Sequence, residues 1–201
     1  MKFNIKYLSI TSAFIAFLSY YLFSIISISY FPTSFNPLTD LWTHLRWYNY
    51  NPTGAYYFRI GNIIFGIFLI PYFIGWSRWY EEDEGQKVKI QIFQGIGYIL
   101  TIIIILNEIL ADINVLFYIF SIFLMILIIL ITAFPPILLF KHPKFIKLIL
   151  IYVIIILFLN IYLAYLIIAD ALIVEFRSIE LITVILNHGY FFLMAFNTMK
   201  L

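Results

Sequence analysis

"LMILIILITAF", residues 124–134, decides how the chain is read. Its β-branched residues would suit a strand in water. So would "TIIIILNEIL", residues 101–110. Neither stretch alternates polar with apolar, and both sit inside apolar runs too long for a strand. In hydrocarbon every backbone N–H and C=O must find its partner within the segment, and that selects a helix.

Working outward, six apolar runs fall at about 7–30, 54–76, 90–110, 114–135, 146–168 and 172–196, at roughly 20 residues per crossing. The expected fold is all-α: a polytopic membrane protein forming one six-helix transmembrane bundle over residues 1–201. The first run follows Lys2 and Lys6 and resembles a signal peptide, but its apolar stretch exceeds the usual 7–15 residues and reads as a retained helix.

Composition agrees. The chain is 64% hydrophobic and 11% charged, against about 25% charged for a soluble domain. A net charge of +2 gives nucleic acid no footprint. The lack of cysteine removes disulfides, thiolate catalysis and Cys-ligated zinc. Abundant Ile, Phe, Tyr, Lys and Asn hint at an AT-rich genome, and a prokaryotic cell membrane is the expected location.

Charge asymmetry orients the bundle. Lys2, Lys6, Arg78, Lys87, Lys89, Lys141, Lys144, Lys147 and Lys200 fall on one side, and Arg46, Arg59 and Arg177 on the other. The rule that cytoplasmic loops carry the excess of Lys and Arg places both termini in the cytoplasm. Trp42, Trp47, Tyr48, Tyr50, Tyr56 and Tyr57 then form an outer aromatic belt, and Trp76, Trp79 and Tyr80 an inner one.

Six acids fall on the outer side: Asp40, Glu108, Asp112, Asp170, Glu175 and Glu180. Arg46, Arg59, Arg177 and His44 accompany them. Asp40 and His44, like Glu108 and Asp112, have the i, i+4 spacing of one helix face. Such groups must hydrate, pair or change protonation. A candidate ligand-binding outer pocket therefore comprises Asp40, His44, Arg46, Arg59, Glu108, Asp112, Glu175 and Arg177. Asp40 is expected to pair with Arg59, and Glu175 to face the same pocket. No HExxH or GxSxG motif occurs and no second outer histidine is present, so no catalytic residue, metal or cofactor is assigned. The run Glu81–Glu84 reads as a solvated cytoplasmic loop.

Asn62, Asn160, Asn187 and His188 lie within the spans, where polar side chains either join helices or handle protons and substrates. Pro135-Pro136 is expected to end or kink the fourth helix. His142-Pro143-Lys144 reads as a turn. Asn51-Pro52-Thr53 fails as a glycan acceptor because Pro occupies its middle position.

Pro37-Leu38-Thr39-Asp40-Leu41-Trp42, after a first helix, resembles the "P-x-(S/T)-D-x-G" signature of the Frag/DRAM/Sfk family of six-helix membrane proteins. Pro52 and Asn62 fit the family's following loop and second helix. Glu175-Phe176 approximates the "E-W" that opens its sixth. Asn51-Pro52-Thr53-Gly54-Ala55 also matches an "NP-x-GA" entry to helix two in similar small prokaryotic membrane proteins. Trp42 stands where the family has Gly, and Phe176 where it has Trp. The resemblance implies membrane or lipid homeostasis and lipid-anchor remodelling, with Asp40 and Glu175 as outer-face carboxylates.

The leading expectation is a lipid-interacting or membrane-organising protein whose partners are membrane lipids. An intramembrane lipid-modifying hydrolase or transferase would use Asp40, His44 or Glu175. A small transporter or transporter subunit would line its path with Asn160, Asn187 and His188. Residues 31–53 would form a lid over the outer mouth of the bundle.

Overall fold

The computed structural model describes residues 5–37, 40–78, 85, 87–138, 146–168 and 174–200, and the regular structure among them is helical throughout. The α-helices are α1 Leu8–Ser29, α2 Gly54–Ile74, α3 Lys87–Ile109, α4 Asn114–Leu138, α5 Ile146–Ile168 and α6 Val174–Lys200. Short 3-10 turns occupy Ile5–Tyr7, Trp42–Arg46 and Gly75–Ser77. The acid run 81–84, the turn 142–144, Trp79, Tyr80 and Asp170 lie outside the described residues.

The α5 boundaries coincide with the apolar run, while α4 and α6 continue beyond theirs. Pro135-Pro136 does not end α4, which runs on to Leu138. Pro135 has no N–H to offer the carbonyl four residues earlier, that of Ile131. The Tyr190 hydroxyl donates to that carbonyl from α6 at 2.9 Å. A side chain of a neighbouring helix thus fills the hydrogen bond that the imino acid leaves open, as hydrocarbon surroundings require.

Each helix packs on the next, and α6 returns to α1, so the six form a closed ring in chain order. The α1–α2 contact is the most extensive. It is made by small and hydroxyl side chains, Ser9, Ser12, Ala13, Ala16, Ser24 and Ser27, on the buried face of α1. Small residues let the backbones come close where no water drives association. At one end Ser9 Oγ donates to the Tyr72 carbonyl at 2.7 Å and Gln94 Nε2 to that of Phe73 at 2.8 Å. These bonds add side-chain donors to carbonyls in the last turn of α2, where the helix supplies few N–H partners of its own.

Polarity is arranged inside out. Asn107, Glu108, Asn160, Glu180, Thr183 and Asn187 are buried, while Phe14, Leu18, Leu22 and Ile25 form the exposed stripe of α1. Large apolar side chains are exposed on all six helices. In water such continuous apolar surface would drive association. Five helices are long and apolar enough to cross a membrane, and α5 adds the apolar stretch Ile151–Tyr165. Trp42 and Trp76 correct the expected belts: both rings are buried in the core, because each is walled in by neighbouring aromatics.

Candidate functional site

The C-terminal ends of α1 and α3, the loop leading into α4, and the N-terminal parts of α2 and α6 meet around the 3-10 turn Trp42–Arg46. Asn51 fixes the approach. Its Nδ2 donates to the Ser27 carbonyl (3.0 Å) and hydroxyl (2.9 Å), and its Oδ1 accepts the Gly54 N–H at 3.0 Å. One fully buried amide therefore ties the end of α1 to the start of α2.

Two ion pairs stack above this knot. Arg46 Nη2 donates to Glu108 Oε1. The Arg46 guanidinium carbon also lies 5.7 Å from the Phe58 ring centroid and 5.2 Å from that of Phe117. Its Nε and the Oε2 of Glu108 have no hydrogen-bond partner among the described residues. These are the atoms that a side-on fork within the same pair would join. Arg59 donates Nη1 to Asp112 Oδ2 at 2.8 Å, Nη2 to Oδ1 at 2.7 Å, and Nε to the Arg46 carbonyl at 3.0 Å. The Tyr48 ring centroid lies 4.4 Å from its guanidinium carbon. This hydrogen-bonded cation holds the Asp112 carboxyl below its ordinary range.

A third carboxylate grips the turn from α6. Glu180 Oε2 accepts the Trp42 N–H at 2.9 Å and Oε1 the Thr43 N–H at 3.2 Å. These are the first donors of a 3-10 turn, which no residue within the turn can satisfy. The Trp42 indole N–H in turn donates to the Tyr20 hydroxyl at 2.6 Å.

The structure thus brings together Arg46, Arg59, Glu108 and Asp112 from the sequence-predicted set. It overturns the Asp40–Arg59 pair. The Arg59 fork belongs to Asp112, and Asp40 Oδ2 instead accepts the Asn36 N–H at 2.8 Å. The cause is local: a tight turn, closed by the Asp40 N–H on the Asn36 carbonyl at 2.7 Å, folds that carboxylate back on its own loop. His44 stacks on Tyr50 with ring centroids 4.1 Å apart, so it does not share a face with Asp40. Asp40 precedes the helical turn, which removes the spacing argument. The side chains of Glu175 and Arg177 lie outside the described residues.

Glu180 was counted only as an outer acid in the sequence, yet with Thr183 and Asn187 it makes a buried i, i+3, i+7 polar stripe on α6. That periodicity is the signal that singles it out. No comparable pattern marks Tyr20, Trp42 or Asn51. Deeper in the bundle Asn160 and Asn187 exchange reciprocal amide hydrogen bonds of 3.1 Å between α5 and α6. Asn62 donates to the Phe58 carbonyl of its own helix at 2.9 Å. His188 Nδ1 and the Tyr21 hydroxyl share a hydrogen bond of 3.1 Å. No family model, curated protein or solved structure matches the chain.

Proposed function

We propose that the chain is a lipid-interacting, membrane-organising protein whose six helices all cross the bilayer with both termini cytoplasmic. The 23 residues of α5 reach about 34 Å, enough for the hydrocarbon core. The outer face would then be the lid of residues 31–53 resting on the ion-paired cluster.

One observation carries the reading. Both guanidinium groups of the cluster are engaged by carboxylates, whereas Asp112 is 59% exposed and its partner Arg59 lies against the exposed ring of Tyr48. Arg59 is therefore not free to match a lipid phosphate. The charge left accessible is a carboxylate whose ion pair borders an amphipathic ring, that of Tyr48, of the type that settles at headgroup level. That chemistry suits an ammonium headgroup. The resemblance carried by residues 37–42 points in the same direction, toward lipid homeostasis.

Thermal unfolding of the full-length protein in nanodiscs tests the reading without substitution. Phosphatidylethanolamine should raise the midpoint relative to phosphatidylglycerol of the same acyl chains. An equal or larger effect of phosphatidylglycerol would show that phosphate, not ammonium, is recognised; no lipid effect would remove the lipid-binding role.

A further inference from the structure

Helices α1 and α6 close the ring, and their seam carries polar groups that the outer cluster does not use. His188 lies midway along the apolar stretch Ile179–Phe196. Its ring is surrounded by those of Tyr20 at 4.6 Å, Phe17 and Phe65 at 5.0 Å, and Tyr21 at 5.6 Å between centroids. The Tyr21 hydroxyl shares its hydrogen bond. Tyr152 of α5 donates to the Leu186 carbonyl of α6 at 2.7 Å.

The exposure of this group separates it from the other intramembrane polar residues. Asn160, Thr183 and Asn187 are buried in the bundle, whereas Tyr21, Tyr152 and His188 are each only half-buried. Exposed Phe14, Leu18, Ile185 and Phe192 lie on the same two helices, and Phe192 packs on Phe17 at 6.3 Å. Phenol and imidazole groups that keep some accessible surface thus lie together at the α1–α6 seam, midway along the apolar stretch of α6. Interhelical bonding explains the contact between Tyr21 and His188. It does not explain why these groups are not closed off as the neighbouring asparagines are.

An occupant must live inside the hydrocarbon, which excludes charged headgroups. It must offer oxygen to O–H and N–H donors, and it must suit a nest of aromatic rings. We propose that the α1–α6 seam binds the head ring of a neutral, membrane-soluble quinone or quinol. The ring oxygen meets Tyr21 and His188, and the ring face lies against Phe17 and Phe192. The proposal concerns binding alone and involves no electron transfer. It is independent of the headgroup reading of the outer face.

The test is titration of the intact protein in nanodiscs with decylubiquinone, read by quenching of intrinsic fluorescence. Decyl acetate serves as a tail-only competitor. Saturable quenching that decyl acetate does not displace is expected, with at least a tenfold weaker apparent affinity in Tyr21→Phe and His188→Phe. His188→Gln keeps an amide in reach of Tyr21 and serves if the phenylalanine variant does not fold. It should bind between the two extremes. Quenching that grows linearly without saturation, displacement by decyl acetate, or undiminished affinity in Tyr21→Phe and His188→Gln would each overturn the proposal.

Discussion

Asp112 grips Arg59 with both carboxylate oxygens, at 2.8 and 2.7 Å, while the third donor direction of the same guanidinium is used by the Arg46 carbonyl at 3.0 Å. The pair joins the loop after α3 to the first turns of α2 and, through the Arg46 carbonyl, holds the end of the 3-10 turn Trp42–Arg46. Its carboxylate is exposed and its guanidinium is covered, so it connects the accessible surface to the buried cluster.

That connection makes this end of the bundle acid-sensitive. The hydrogen bonds and charge of Arg59 lower the Asp112 carboxyl below its ordinary 3.8. A lowered native value adds stability above the unfolded value, and this is lost as pH falls through the native one. With Asp112 largely exposed, the loss is at most about 1 kcal/mol. Unfolding midpoints measured in detergent from about pH 5 downward should fall for the native chain. Asp112→Asn should be flatter over that range. An unchanged slope in the variant would assign the acid effect elsewhere.

The Arg46–Glu108 pair is nearly buried, with side chains 12% and 2% exposed. Glu108→Ala leaves a guanidinium between two phenyl rings without its counter-charge, at a cost of about 3–5 kcal/mol. Replacing both partners, Arg46→Met with Glu108→Leu, should recover most of that loss. Denaturant titration of the two variants decides it, and a double variant no better than the single would refute the pairing argument.

Tyr190 and Pro135 offer a rescue experiment. Tyr190→Phe removes the donor to the Ile131 carbonyl, and an orphaned buried carbonyl costs about 1–3 kcal/mol. Adding Pro135→Ala supplies a backbone N–H for the same acceptor. The double variant should be more stable than Tyr190→Phe alone. If Pro135→Ala destabilises both backgrounds alike, the hydroxyl is not serving that carbonyl.

Two glycines should respond in opposite ways. A Cβ on Gly54 would fall on the Asn51 amide and the Ser27 carbonyl, while a Cβ on Gly95 meets nothing within 4 Å. Gly95→Ala should therefore gain up to about 1 kcal/mol of helix propensity. Gly54→Ala should lose about 1–3 kcal/mol by overpacking the knot at the head of α2. Similar midpoints for the two variants would contradict this account of the α1–α2 junction.

Single cysteines at Asn36 and Lys87 test the orientation in intact cells. An impermeant maleimide should label the first from outside and reach the second only after permeabilisation. The reverse pattern would invert the bundle and move the lid to the cytoplasm.

The helices were legible because hydrocarbon leaves a long apolar segment few other ways to satisfy its backbone. Arg46, Arg59, Glu108 and Asp112 were legible as a group, since charges this near the membrane must find partners. Their pairing was not. Whether Arg59 meets Asp40 or Asp112 depends on the hydrogen bonds between Asn36 and Asp40, which turn one carboxylate back to its own loop. The belt assignment failed for Trp42 for a related reason: residue type suggests an interfacial ring, but tertiary placement seats this indole in the core, bonded to Tyr20. Glu180 was recoverable from the spacing of its stripe on α6, whereas Glu175 was favoured on its position at the helix start.

The ring in chain order also dictates a schedule. Helices α1 to α5 each meet their predecessor as they emerge, so the bundle can grow by adding one neighbour at a time during synthesis. The 3-10 turn Trp42–Arg46 cannot be finished on that schedule. The N–H groups of Trp42 and Thr43 wait for Glu180, which is 138 positions later than Trp42. A chain halted before α6 would leave both donors without their carboxylate, and arrival of α6 both closes the circle and fastens a turn made long before it.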